Sequence, residues 1–278
     1  MTSDPDIYAI GDAVEISDYV TGFKTMTPLA GPANKQARIA ADNVFGRKSI
    51  FKGTLGTAVV KIFNLVVACT GTGEKFLLKN NISYLVSYTH SGSHASYYPG
   101  SEMMAIKLIF SPENGKLLGA QIAGGCEVDK RIDIFATAIR GDMSVYDLEE
   151  LELSYAPPFS SAKDPVNVAG FVAANILKGD IENIYPNEVD LFDSENEVLI
   201  DLRGNDEVKE YGMIKGSLHI PVNDLREKIT GLDKSKKYIL YCAVGLRGYI
   251  GYRIMIQNGF NVRNLSGGYK SYSELNHQ

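Results

Sequence analysis

Apolar residues recur along this 278-residue chain in two successive rhythms. From Gly53 to about Asp180, strand-like runs come first and helix-like runs follow. Ala58–Cys69 and Ile82–Thr89 have the β-branched and aromatic content of strands. Met104–Phe110 and Leu117–Ala123 flank Pro112-Glu113-Asn114-Gly115, and an Asn-Gly step between apolar runs predicts a hairpin. Ile132, Phe135, Ala136 and Ile139 share one stripe of a predicted helix over Glu127–Arg140. Ser144 is placed to cap a short helix, with Asp147 standing where a capping box has Glu or Gln. Asp164–Lys178 is a last apolar helix. Strands first and helices later predict an α+β unit.

After Glu188 the rhythm changes. Strand-like runs at Val198–Asp201 and Tyr238–Tyr241 alternate with helix-like ones, the pattern of a parallel sheet covered on both faces. The polar stretch Gly179–Asn187, with Pro186 near its end, reads as the boundary. Before Gly53, Ser3–Ala13 reads as a turn, one short strand and a Gly-Asp step. A helix follows over Ala33–Arg47, with Ala37, Ala40, Ala41 and Val44 on one face. The expected architecture is α+β followed by α/β, with units at 1–52, 53–180 and 188–278.

Composition removes several classes of function. A chain that is 45% hydrophobic and 22% charged is ordinary for a globular protein. A net charge of −5 and no run of Lys or Arg give no field for nucleic acid. The longest apolar stretch, Ala58–Cys69, is broken by Lys61 and Asn64 and is too short to span a bilayer, so no membrane partner is expected. The start, Met-Thr-Ser-Asp-Pro-Asp, lacks the regions of a signal peptide. Cys69, Cys126 and Cys242 are scattered, with neither a disulfide framework nor metal-ligand spacing. A reducing cytoplasm is the expected location.

One stretch carries a complete set of catalytic parts. The strand-like run Tyr238–Tyr241 ends at Cys242; Ala243, Val244, Gly245, Leu246 and Arg247 follow; and Gly248 opens an apolar-periodic segment that reads as a helix. A cysteine between a strand end and a helix N-terminus sits where amide N–H groups and the positive helix end converge. Both favour an anionic sulfur, which is the nucleophile. Arg247 adds a fixed positive charge, so residues 243–248 would cradle a charged cysteine adduct. The Cys-x-x-Gly-x-Arg loop resembles that of rhodanese-type sulfurtransferases. Val198–Arg203, Glu207, Tyr211, Gly216, His219, Ile220 and Pro221 upstream, and Asn264–Tyr269 downstream, follow the same family pattern in order. Met213 departs from it, standing where the family usually has histidine. The resemblance implies that Cys242 is catalytic and carries sulfane sulfur between small thiols and persulfides. Rhodanese-fold phosphatases have one more residue in the loop; the four between Cys242 and Arg247 suit a single sulfur atom better than a tetrahedral oxyanion. Asp201 and Arg203 are expected to be structural.

Residues 2–178 resemble a second family. Gly11-Asp12 with the following helix, Pro28–Asn43, is similar to the second flavin-binding motif of pyridine nucleotide–disulfide oxidoreductases. There the aspartate accepts a hydrogen bond from the ribityl chain of FAD, which makes Gly11 and Asp12 candidate cofactor residues. Tyr155-Ala156-Pro157-Pro158-Phe159-Ser160-Ser161-Ala162-Lys163-Asp164-Pro165 and His94–Gly100 resemble signatures of coenzyme A-disulfide reductases and related NADH oxidases. That resemblance implies a homodimer in which Tyr97, Tyr155 and Lys163 reach coenzyme A at the partner's active site. It also implies FAD and NAD(P)H as cofactors, and no metal. Neither Gly-x-Gly-x-x-Gly fingerprint nor a redox cysteine of that family is present. The chain is therefore expected to be the C-terminal part of a longer flavoenzyme, Met1 falling inside the FAD domain. The alternative is a stand-alone sulfur carrier on a dimerisation platform.

Overall fold

A computed structural model describes residues 1–276, the side chain of Asn276 excepted. The chain forms two compact units. The first comprises Met1–Val86 and Gly92–Asn167; the second comprises Ser87–Ser91 and the chain from Val168 onward.

The first unit opens with a single 3-10 turn, Gly11–Ala13, and a two-residue hairpin of β1 (Ile16–Ser17) and β2 (Lys24–Thr25). Helix α1 spans Ala30–Val44. Pro32 lies in its first turn, where a missing N–H costs nothing. The main sheet has the order β3-β4-β7-β6-β5, from β3 (Ala58–Ile62), β4 (Leu65–Gly71), β5 (Leu85–Gly92), β6 (Met103–Phe110) and β7 (Leu117–Gly124). The pairs β3/β4, β4/β7 and β6/β7 are antiparallel. Helix α2 (Glu74–Lys79) precedes β5. Helix α3 (Val128–Arg140) buries Val128, Arg131, Ile132, Phe135, Ala138 and Ile139, the 3–4 spacing of a helix lying on a sheet. Helix α4 (Val145–Glu150) starts at a complete capping box: the Ser144 hydroxyl accepts from the Asp147 N–H, and Asp147 accepts from the Ser144 N–H.

Three expectations need correction. Ala58–Cys69 is two strands, because the chain reverses at Phe63 (φ 53°) and Asn64; Asn64 is a turn former, and an asparagine inside the run marks the break. The short strand before Gly11 does not form: Ile10 is extended (φ −142°, ψ 166°), but it has no strand beside it among the described residues, and pairing defines a strand. Helix α1 starts and ends three residues earlier than Ala33–Arg47, and it buries only Gln36; Val44 on the expected apolar face is exposed.

In the second unit, α5 (Pro165–Leu177) leads into a five-stranded parallel sheet of order β10-β9-β11-β12-β8. Its strands are β8 (Asn183–Ile184), β9 (Glu197–Asp201), β10 (Leu218–His219), β11 (Lys237–Tyr241) and β12 (Asn261–Leu265). The stretch expected to be a linker thus supplies edge strand β8. Helices α6 (Asn205–Tyr211), α7 (Leu225–Lys228), α8 (Leu246–Gln257) and α9 (Gly268–Asn276) complete the unit. The sheet is buried on both faces. Tyr238, Leu240 and Cys242 lie in one apolar cluster, Ile239 and Tyr241 in the other, as the period of two along β11 requires.

Candidate active site

Central strand β11 delivers Cys242 at its C-terminal end, where the residue is 1% exposed. The chain then reverses through Ala243, Val244 and Gly245. Gly245 takes φ 110°, a region that L side chains rarely enter, and caps α8, which therefore begins at Leu246 rather than Gly248. The Gly245 N–H donates to Cys242 Sγ at 3.2 Å. Among the six expected cradle residues, this amide is the one that reaches the sulfur. A Cβ at Gly248 would collide with Asn264 Oδ1, so the bare backbone there lets α8 lie close to β12.

Helix α9 holds the loop from behind. The Tyr269 N–H donates to Cys242 O at 2.7 Å, and the Lys270 N–H to Ala243 O at 3.0 Å. Gly268, at φ 64°, makes this approach possible, since a Cβ there would run into both carbonyl oxygens. Buried Arg203 braces the same region. Its guanidinium pairs with Asp201 at 2.6 Å, donates to Gly212 O at 2.5 Å, and stacks over the Tyr269 ring at 3.9 Å. The expectation that Asp201 and Arg203 serve structure matches these contacts.

Arg247 lies in the first turn of α8, and its two terminal nitrogens donate to Glu207 Oε2 and Oε1 at 2.5 and 2.7 Å. Glu207, in the first turn of α6, also accepts from the Gly204 N–H at 2.9 Å. The hydrogen bond from Arg247 is the main cause holding the Glu207 carboxyl down to about 2. The Arg247 guanidinium is pushed up, first by the hydrogen bond to Glu207 and then by the charge of nearby Cys242. Sequence reasoning placed Glu207 in the family pattern but gave it no role. Cys69 is exposed and Cys126 half-buried; all three cysteines are free.

The first unit brings Tyr97 and Tyr155 together: their phenol oxygens share a hydrogen bond at 3.1 Å. This bond is the first cause raising the Tyr155 phenol above its ordinary range. Both rings are exposed, as is Lys163. The two loops are fixed by a residue that sequence reasoning passed over. Arg131 on α3 is fully buried and donates to Ser93 O at 2.8 Å, Ser160 Oγ at 3.2 Å and Asp164 Oδ2 at 2.9 Å. It also pairs with Glu127, one helical turn before it. Ala95 N–H donates to Ser160 O at 3.0 Å, so the Tyr97 and Tyr155 loops are tied directly as well. Nothing in the sequence marks Arg131 for this role, since its partners lie in loops distant along the chain.

Gly11 takes φ 73° and donates its N–H to Gln36 Oε1 at 2.7 Å, which seats the Gly11–Ala13 turn against the first half of α1. Asp12 is exposed, and the N-cap of α1, Leu29, provides no side-chain cap. The exposed Asp12 carboxylate is free to accept a hydrogen bond, and the uncapped start of α1 leaves backbone N–H groups free to donate. Among the described residues, no group of His, Cys, Asp and Glu could hold a metal ion, and no helix is long and apolar enough to cross a membrane.

Two known domains match this architecture. Residues 57–165 match the dimerisation domain of the pyridine nucleotide-disulphide oxidoreductases, and residues 189–275 match the rhodanese-like domain. The chain therefore carries a pyridine nucleotide-disulphide oxidoreductase dimerisation domain followed by a rhodanese-like domain. Among solved structures it is similar to reduced Bacillus anthracis CoADR-RHD, with 48% identity and a TM-score of 0.94 over 98% of this chain and 49% of that one. It is also similar to the NAD-dependent persulfide reductase from A. fulgidus, with 36% identity and a TM-score of 0.88 over 96% of this chain and 48% of that one. The coenzyme A disulfide reductase of Staphylococcus haemolyticus is 36% identical over 176 residues, which are 63% of this chain and 40% of the relative. The chain thus spans about half the length of those solved relatives and less of the curated one.

Proposed function

We propose that this chain supplies the dimerisation and sulfur-carrying parts of an FAD- and NAD(P)H-dependent reductase of coenzyme A disulfide, persulfide or polysulfide, with Cys242 as the carrier of sulfane sulfur. The observation that carries this reading is Cys242 itself: buried at a strand end, with the Gly245 N–H on its sulfur and Arg247 alongside. In the transfer step the Cys242 thiolate attacks the outer sulfur of a donor such as thiosulfate. The new S–S bond forms as the old one breaks, and sulfite leaves with the electron pair. Amides and the α8 N-terminus stabilise the resulting persulfide anion. A thiolate acceptor then takes the outer sulfur and frees Cys242.

Residues 1–52 belong in this reading to an FAD-binding domain, 53–180 to the dimerisation domain and 188–278 to the rhodanese domain. Asp12 would accept from a flavin ribityl hydroxyl, with Gly11 holding the turn; the flavin, when bound, supplies hydride and electron transfer. Tyr97 and Tyr155 offer phenols to a sulfur anion and Lys163 a cation to a phosphate of coenzyme A. A homodimer fits the exposed apolar residues Val59, Val60, Ile62, Phe63 and Leu65 on one hairpin. Three free cysteines fit a reducing cytoplasm.

The test is intact-protein mass after incubation with thiosulfate. One added sulfur is expected in the parent chain and in Cys69→Ser and Cys126→Ser, and none in Cys242→Ser. An adduct that persists in Cys242→Ser, or that never forms in the parent, overturns the assignment.

A further inference from the structure

Sulfur transfer through Cys242 leaves one part of its surroundings without a purpose, the Glu207 carboxylate paired with Arg247. An arginine beside a nucleophilic sulfur concentrates anionic reagents. Here the guanidinium is held by both oxygens of one carboxylate, at 2.5 and 2.7 Å, in the two-pronged geometry that fixes orientation as well as charge. The Glu207 carboxyl lies near 2, so it stays ionised at every pH where a thiol reacts. The pair as a whole therefore carries no net charge, with Arg247 the member that acts on Cys242 and Glu207 opposing it. Both side chains are about one third exposed, at 32% and 33%, so the cancellation is felt by a solute arriving from water. Arg203, the other cation acting on Glu207, is matched in turn by Asp201. Leu246, the residue before Arg247, is 67% exposed and adds an apolar surface.

We infer that Glu207 sets the charge preference of the Cys242 site, cancelling Arg247 so that dianionic donors gain no advantage over uncharged or organic sulfane donors. This rests on Cys242 being the sulfur carrier. A structural role alone would not require charge: Gln at this position still has an oxygen to accept from the Gly204 N–H and from one Arg247 nitrogen.

The experiment compares alkylation of Cys242 by iodoacetate, an anion, and by iodoacetamide, its neutral counterpart, read at the Cys242 peptide by mass. The chains are the parent, Glu207→Gln, Arg247→Gln and the double variant. A unit charge several ångströms away through solvent changes an encounter with an anion by roughly threefold. The iodoacetate-to-iodoacetamide rate ratio should rise about threefold in Glu207→Gln, fall by a similar factor in Arg247→Gln, and return near the parent value in the double variant. Sulfur loading from thiosulfate, a dianion, should rise by up to about tenfold in Glu207→Gln, and added salt should shrink the gain. An unchanged ratio in Glu207→Gln overturns the inference, because loosened packing alters both reagents alike. A ratio that rises in both single variants overturns it too. If the ratios move as expected while no chain takes up sulfur, control of charge by Glu207 stands and the sulfur-carrier reading fails.

Discussion

The phenol oxygens of Tyr97 and Tyr155 lie 3.1 Å apart, joined by a hydrogen bond between residues 58 positions apart in the chain. Their loops are drawn together by one guanidinium, that of Arg131, which bonds to Ser93 before the first tyrosine and to Ser160 after the second. The Tyr155 phenol is raised chiefly by its bond to Tyr97. Replacing Tyr97 with Phe should therefore let Tyr155 titrate at lower pH. Carbon-labelled tyrosine resonances followed through alkaline pH would reveal the change. If Tyr155 titrates identically in both proteins, the two hydroxyls do not meet in solution.

Arg131 offers a sharper test of that arrangement. It is fully buried beside Asp164, itself 2% exposed, and removing one member of a buried pair strands the other charge. Arg131→Ala should lower stability by about 3–5 kcal/mol, read by urea denaturation. Arg131→Ala with Asp164→Asn should recover part of the loss, since the stranded charge is gone. A single variant as stable as the parent would mean that water replaces the guanidinium.

These two sites were unequally legible in the sequence. The Cys242 loop was visible because its chemistry is local: six consecutive residues supply sulfur, turn and cation. Tyr97 and Tyr155 were singled out only through family resemblance, as nothing in their spacing predicts that they touch. Arg131 was invisible, since a polar residue on an apolar stripe reads as an interruption until its partners are known. The same limit explains Ala58–Cys69. Its β-branched content predicts extended chain correctly, and Asn64 marks a break, but that the chain reverses there is settled only by the antiparallel pairing of the two halves. The strand at Tyr238–Tyr241 was legible as an unbroken apolar run, because burial on both faces of the sheet leaves no position there for a polar side chain.

Glu207 should leave a signature in acid. Its folded value near 2 lies below the ordinary 4.5, so the ionised form favours folding. That contribution is fully present above about pH 4.5 and disappears as pH falls through about 2. With a third of the side chain exposed, solvent screening reduces it to about 1 kcal/mol. The stability gap between the parent and Glu207→Gln should narrow by about that amount across this window, measured by denaturation at stepped pH. A gap independent of pH would place the carboxyl outside the ion pair.

Gly268 joins the second sheet to the cysteine loop, and its substitution should damage both fold and chemistry. Its φ of 64° is one that alanine adopts only with strain. A Cβ there would also strike Cys242 O and Ala243 O, backbone atoms that cannot swing aside as a side chain does. Relief requires α9 to withdraw, which breaks the bonds from Tyr269 N to Cys242 O and from Lys270 N to Ala243 O. Strain and lost bonds together should cost about 2–4 kcal/mol in Gly268→Ala. Released carbonyls would let the loop relax, so sulfur uptake by Cys242 should slow by more than about tenfold, on the order expected when preorganised amides move. Gly231→Ala is the control. A Cβ on that glycine would meet nothing within 4 Å, and its φ is not positive. Stability of this variant should stay within about 0.5 kcal/mol of the parent, and sulfur uptake should be unchanged. Equal behaviour of the two variants in denaturation and in mass-detected sulfur loading would mean that α9 does not hold the loop.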